Sequence, residues 1–128
     1  MILTVIYGIG GNSMKLMFHV LRNNPKQNID NETIEFTDIE KKLKEEFKEV
    51  VEAIKCYRKS NSLHDLKEIV RETFDLIQIC ILILWKCNRQ AQTFDEENLI
   101  QDINFEHKDK LINRGWIIKT GIEVDVKE

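Results

Sequence analysis

The chain predicts an all-α fold, and three observations carry that expectation. Apolar residues recur at helical spacing through two long segments, about residues 37–59 and 62–86, where 100° per residue gathers them into one sector. Three cap-like patterns, Thr37-Asp38-Ile39-Glu40, Ser62-Leu63-His64-Asp65 and Thr93-Phe94-Asp95-Glu96, mark helix starts. Strand-like alternation is confined to the two ends of the chain.

Residues 1–13 read as a flexible leader, or an added extension, ahead of a start at Met14. Ile2-Leu3-Thr4-Val5-Ile6-Tyr7 is β-prone, and Gly8-Ile9-Gly10-Gly11-Asn12-Ser13 imitates a dinucleotide-binding turn. The imitation is poor, because Ser13 stands where the last glycine belongs and no second strand follows to complete the unit. Met14 to Arg22 predicts a short helix stopped by Asn23-Asn24-Pro25, followed by a polar loop to about Phe36.

Thr37 is the expected cap of the next helix, whose buried stripe is Ile39, Leu43, Phe47, Val50, Val51 and Ile54. Glu46 borders that stripe, Glu49 lies one step further out, and Glu45 and Glu52 fall on the far side. Ser60-Asn61-Ser62 is a turn into a third helix that runs to about Lys86. On it, Glu68, Glu72 and Asp75 share a sector with Ile79, Leu82 and Ile83 two turns later. A stripe that changes from acidic to aliphatic does not face bulk water throughout, and an almost all-round apolar second half implies burial on several sides, as in an oligomer. The last helix ends at Arg114-Gly115 with glycine as the stop. Its His107, Lys110 and Arg114 share a side with Ile103. The tail, Ile122-Glu123-Val124-Asp125-Val126, alternates like a strand and is a pairing partner for the β-prone N-terminus. The expected organisation is one helical domain over residues 14–116 with a tail over 117–128.

Bulk composition excludes several function classes. The 128 residues carry 19 basic and 22 acidic side chains, a net charge of -3, intermixed along the chain, so no polybasic stripe points to nucleic acid. The three cysteines, Cys56, Cys80 and Cys87, have no CxxC spacing and read as reduced thiols in a cytoplasmic protein, Cys80 and Cys87 as core filler. The longest apolar run, Leu76 to Trp85, is about half of what a bilayer needs and is interrupted by Gln78, so no membrane span is expected.

Chemistry concentrates in two acidic clusters. Glu45, Glu46 and Glu49 lie on one helix and Glu72 and Asp75 on the next, with Glu46/Glu49 and Glu72/Asp75 each at i,i+3 on a shared face. Packed side by side, the helices bring four carboxylates together. Two like charges about 5 Å apart at an effective dielectric near 20 repel by roughly 3 kcal/mol. Hard divalent cations with oxygen ligands, Mg2+ or Mn2+, are the natural counter-charge.

Glu45-Glu46-x-x-Glu49, 22 intervening residues, then Glu72-x-x-Asp75 resembles the EExxE and ExxD signature of the all-α nucleoside triphosphate pyrophosphohydrolases, MazG-like proteins in particular. The segment from His107 to Trp116 is similar to the closing part of that group, and the resemblance covers roughly residues 14–116. It implies a bundle of four or five helices forming a homodimer or homotetramer, and Mg2+-dependent hydrolysis of a nucleoside triphosphate to monophosphate and pyrophosphate. By matching motif positions it implies Glu46, Glu49, Glu72 and Asp75 as metal ligands, with Glu45 and Glu49 as the catalytic pair, Glu45 either supporting the metal ligands or orienting the attacking water. His107, Lys110 and Arg114 would bind pyrophosphate oxygens, arginine being suited to bidentate contact. The alternatives are a phosphoribosyl-ATP pyrophosphohydrolase and a non-catalytic helical interaction module.

Overall fold

Helices dominate the described residues, 2–7 and 13–127 of this computed structural model, with side chains described over 14–127. The elements in order are β1 (Ile2–Tyr7), β2 (Ser13–Leu16), β3 (Asn23–Asn24), β4 (Ile29–Asp30), α1 (Phe36–Ser60), α2 (Leu63–Gln92), α3 (Leu99–Asn113) and β5 (Ile122–Asp125). They divide into two compact units, Leu21–Lys86 and the combination of Met1–Val20 with Cys87–Glu128. Among the described residues no helix is long and apolar enough to cross a membrane.

The unit Leu21–Lys86 is a long helical hairpin preceded by a small β-hairpin. α1 stops where Asn61 takes the left-handed conformation, φ 51°, and donates its backbone N–H to the Tyr57 carbonyl at 2.8 Å. Asparagine tolerates that conformation better than other side-chain-bearing residues. α2 begins at once, because Ser62 Oγ accepts the backbone N–H of Asp65 at 3.2 Å, as expected from the sequence. So short a turn fixes the register. Residues equidistant from Asn61 face each other, and buried Ile39 and Leu82 stand 22 and 21 residues from it. Ala53 and Ile81 complete the buried apolar side chains of this unit.

In the other unit, β1 is the central strand of an antiparallel sheet ordered β2-β1-β5. Leu3 pairs with Leu16 on one side and Val124 on the other, so the tail does join the N-terminal strand. α3 closes on a Schellman arrangement: Gly115, at φ 91°, donates to the Ile112 carbonyl at 3.0 Å, and Trp116 donates to Leu111 at 3.1 Å.

Several local expectations are corrected. Met14 to Arg22 is not a helix; its first residues belong to β2, where pairing with β1 overrides local helical preference. The expected leader therefore contains a paired strand, while Gly8-Ile9-Gly10-Gly11-Asn12, the imitation of a dinucleotide turn, lies outside the described residues. Thr37 does not cap α1. That helix starts two residues earlier, on the Glu35 carbonyl and with no side-chain cap, and Phe36 lies beneath the Lys86 ammonium at 4.8 Å. Thr93 does not cap α3 either: its hydroxyl donates back to the Gln90 carbonyl at 2.7 Å, and Asn98 is the cap residue. Phe47 and Ile54, expected in the buried stripe, are exposed, and so is Cys80.

Replacing Ser62 by alanine removes the acceptor that starts α2 and should cost about 1 kcal/mol. Urea unfolding should show a lower midpoint with an unchanged slope.

Candidate metal centre

Helical hairpin geometry brings the two acidic motifs together. Glu46 and Asp75 stand 15 and 14 residues from Asn61, and Glu49 and Glu72 stand 12 and 11, so each carboxylate of α1 meets one of α2 roughly 20 Å from the turn. Within each helix the two acids are one turn apart on one face. Thr73, between Glu72 and Asp75 in sequence, is occupied within its own helix, donating its hydroxyl to the Ile69 carbonyl at 2.7 Å.

One carboxylate oxygen each from Glu46, Glu72 and Asp75 lies within 4.8 Å of the other two. Glu46 and Glu72 are half-buried and Asp75 is exposed. Glu49 lies close enough for its charge and side chain to raise the pKa of both Glu46 and Glu72. Two carboxyl groups can share a hydrogen bond only if one carries a proton, and the acidities reflect this. The Glu72 carboxyl, hydrogen-bonded to Glu49 and Glu68, partly desolvated and beside the charges of Glu49 and Asp75, is pushed up to about 7. Burial holds Glu46 above the ordinary carboxylate range, reinforced by the charge of Glu49, a hydrogen bond to it, and the charges of Asp75 and Glu45.

The donor set fits a hard divalent cation. All four groups offer oxygen, the ligand that Mg2+ and Mn2+ prefer. Two of the oxygens, Glu46 Oε2 and Glu72 Oε2, are buried with no hydrogen-bond partner among the described residues. A buried carboxylate oxygen without a partner is costly. A cation between the helices would satisfy both.

Toward the turn the cluster opens into a cleft of about 600 Å³ between α1 and α2. Ala53, Glu49, Cys56, Glu45, Glu52 and Lys48 follow one another around its α1 side, from inner wall to outer rim. Glu45 and Glu52 therefore face the cleft, correcting their placement on the far side of the helix: the cleft opens beside the apolar stripe and not within it. Glu68 and Asp65 line the α2 side. Hydrogen bonds from Ser60 first, then His64, hold the Asp65 carboxyl below its usual range; the Ser60 hydroxyl donates to it at 2.5 Å. Lys48 and Asp65 were not legible as lining residues from the acidic motifs, although the 45/48/49/52/56 spacing on one helix side was available in the sequence.

His107 and Lys110 lie on α3 and Arg114 caps it, all three exposed, in the unit that does not contain the carboxylates. Compared with protein-family models, curated proteins and solved structures, the chain has no significant match.

Both resolved shifts in the cluster are upward, so between the ordinary carboxylate range and about pH 7 the folded chain holds protons that the unfolded chain releases. Stability without divalent metal therefore falls as pH rises through that window. Melting curves in chelator at about pH 5.5 and about pH 8 should show the lower melting temperature at the higher pH. Glu72→Gln, which cannot ionise, should flatten this dependence and raise the metal-free melting temperature at about pH 8 by about 3 °C.

Proposed function

We propose that this chain is a Mg2+- or Mn2+-dependent pyrophosphohydrolase that cleaves nucleoside triphosphates to monophosphate and pyrophosphate, clearing unwanted nucleotides in the cytoplasm. The single observation that supports this reading most is the convergence of Glu46, Glu72 and Asp75 within 4.8 Å, with two buried carboxylate oxygens lacking hydrogen-bond partners among the described residues. The order and spacing of the acidic motifs favour a phosphate-chain substrate over other uses of such a centre.

In this reading Glu46, Glu49, Glu72 and Asp75 hold the cation. Bound there, it supplies neutralisation of the triphosphate charge and polarisation of the phosphoryl group. Glu45, on the cleft wall, orients water for in-line attack, and Glu49, close to Glu46 and Glu72, accepts a proton from it. No protein nucleophile is required. His107, Lys110 and Arg114 enter as pyrophosphate-binding groups on the sequence pattern alone.

The reading includes assembly of the chain, expected as a bundle of four or five helices and with three helices among its described residues, into a homodimer or homotetramer. A folded monomer of 15.2 kDa exposes about 7,100 Å², and two separate units of half that mass about 8,600 Å². This chain exposes 10573 Å². The surplus includes apolar side chains on the hairpin helices, among them Phe47, Val70 and Leu84. The same exposed apolar side chains are what a non-catalytic helical interaction module would present, and activity separates the two.

Purified protein incubated with dNTPs and NTPs in Mg2+ or Mn2+ should release monophosphate and pyrophosphate in equal amounts. Glu49→Gln and Asp75→Asn should each lower kcat by about 100-fold or more while keeping the helical circular dichroism signal. Absence of monophosphate from every substrate would refute the reading, and activity on phosphoribosyl-ATP alone would transfer the site to that substrate.

A further inference from the structure

Building on the pyrophosphohydrolase reading, we propose that Lys48 is a positioning residue that binds a phosphate oxygen of the substrate in the cleft between α1 and α2. Apart from Ala53 and Cys56, every side chain lining that cleft other than Lys48 is a carboxylate. Phosphate oxygens only accept hydrogen bonds, and so do ionised carboxylates. Direct contact between the cleft wall and a phosphate chain therefore needs a donor, and the Lys48 ammonium offers three N–H groups and a compensating charge.

Lys48 is also uncommitted. Three other cations near the cleft pair within their own helices: Lys44 with Glu40 at 3.0 Å, Lys55 with Glu52 at 3.7 Å and Arg71 with Glu68 at 3.1 Å. Lys48 makes no ion pair among the described residues, although Glu45, Glu49 and Glu52 lie within one turn of it on the same helix. Those pairings bind Glu52 and Glu68 elsewhere and leave the Lys48 ammonium at the cleft's outer rim. Its place is one turn along α1 from Glu45 and next to Glu49, so a phosphate chain held at the carboxylate cluster and extending into the cleft passes within reach of a lysine side chain.

A different role is simple dilution of negative charge. The two roles have opposite signatures. A charge-diluting lysine, once removed, leaves KM unchanged and strengthens cation binding. A phosphate-binding lysine, once removed, raises KM.

The test uses the full chain with Lys48→Met and Lys48→Arg, measuring steady-state hydrolysis of the best nucleoside triphosphate in Mg2+, together with the melting shift produced by Mg2+ alone. Lys48→Met should raise KM by about 10-fold or more with kcat within about threefold of wild type, as expected for loss of one charge-assisted hydrogen bond. Lys48→Arg should restore most of the loss. The Mg2+-induced melting shift of Lys48→Met should be as large as that of wild type or larger. A KM within about twofold of wild type would overturn the inference, as would a loss of the Mg2+ melting shift, which would place Lys48 in support of the metal centre. Failure of the wild-type protein to hydrolyse any triphosphate would overturn the underlying reading and this inference with it, and is seen before any variant is made.

Discussion

Repulsion among carboxylates held across one helical hairpin is the constraint on which the rest of this molecule turns. Glu46 and Glu49 on α1 meet Glu72 and Asp75 on α2. Ile39 and Leu82, two turns beyond the cluster, are among the few side chains buried to below a tenth of their surface. The hairpin thus carries buried aliphatic side chains at one end and clustered carboxylates nearer its turn. The raised proton affinity of Glu72 relieves part of the repulsion when no cation is present.

The register that imposes this meeting comes from a few residues at the turn. Asn61 adopts the left-handed conformation that stops α1, and Ser62 caps α2 with no intervening loop. Ser60 and Ser62 are hydrogen-bonded to each other at 3.1 Å, and Ser60 donates to Asp65, so the turn is tied on both sides. Insertion of even one residue there would rotate α2 by about 100° relative to α1 and move Glu72 and Asp75 off the facing side. Local capping chemistry and a function-bearing cluster about 20 Å away are therefore one design.

How much of this was readable from the residues follows from how local each determinant is. The Ser60-Asn61-Ser62 turn and the two acidic i,i+3 pairs are local, and their near-equal distances from Asn61 foreshadowed the cluster. Glycine at 115 announced the end of α3 for the same reason. The segment from Met14 was misread as helix because its conformation is set by β1, a partner outside any local window. Thr37 and Thr93 have the right chemistry for caps, but Phe36 enters α1 under Lys86 and Thr93 turns back to Gln90. The cleft was missed because its walls are polar side chains whose common orientation depends on how closely α2 lies beside α1. Helical periodicity alone registers the apolar stripe and treats the acids beside it as solvated.

Anomalous diffraction from crystals grown or soaked with Mn2+ locates the cation within the hairpin. A manganese peak is expected between α1 and α2 at bonding distance from oxygens of Glu46, Glu72 and Asp75, with Glu49 turned toward it. A peak elsewhere, or none at a Mn2+ concentration that saturates any melting shift, with the four carboxylates still clustered, would contradict this placement.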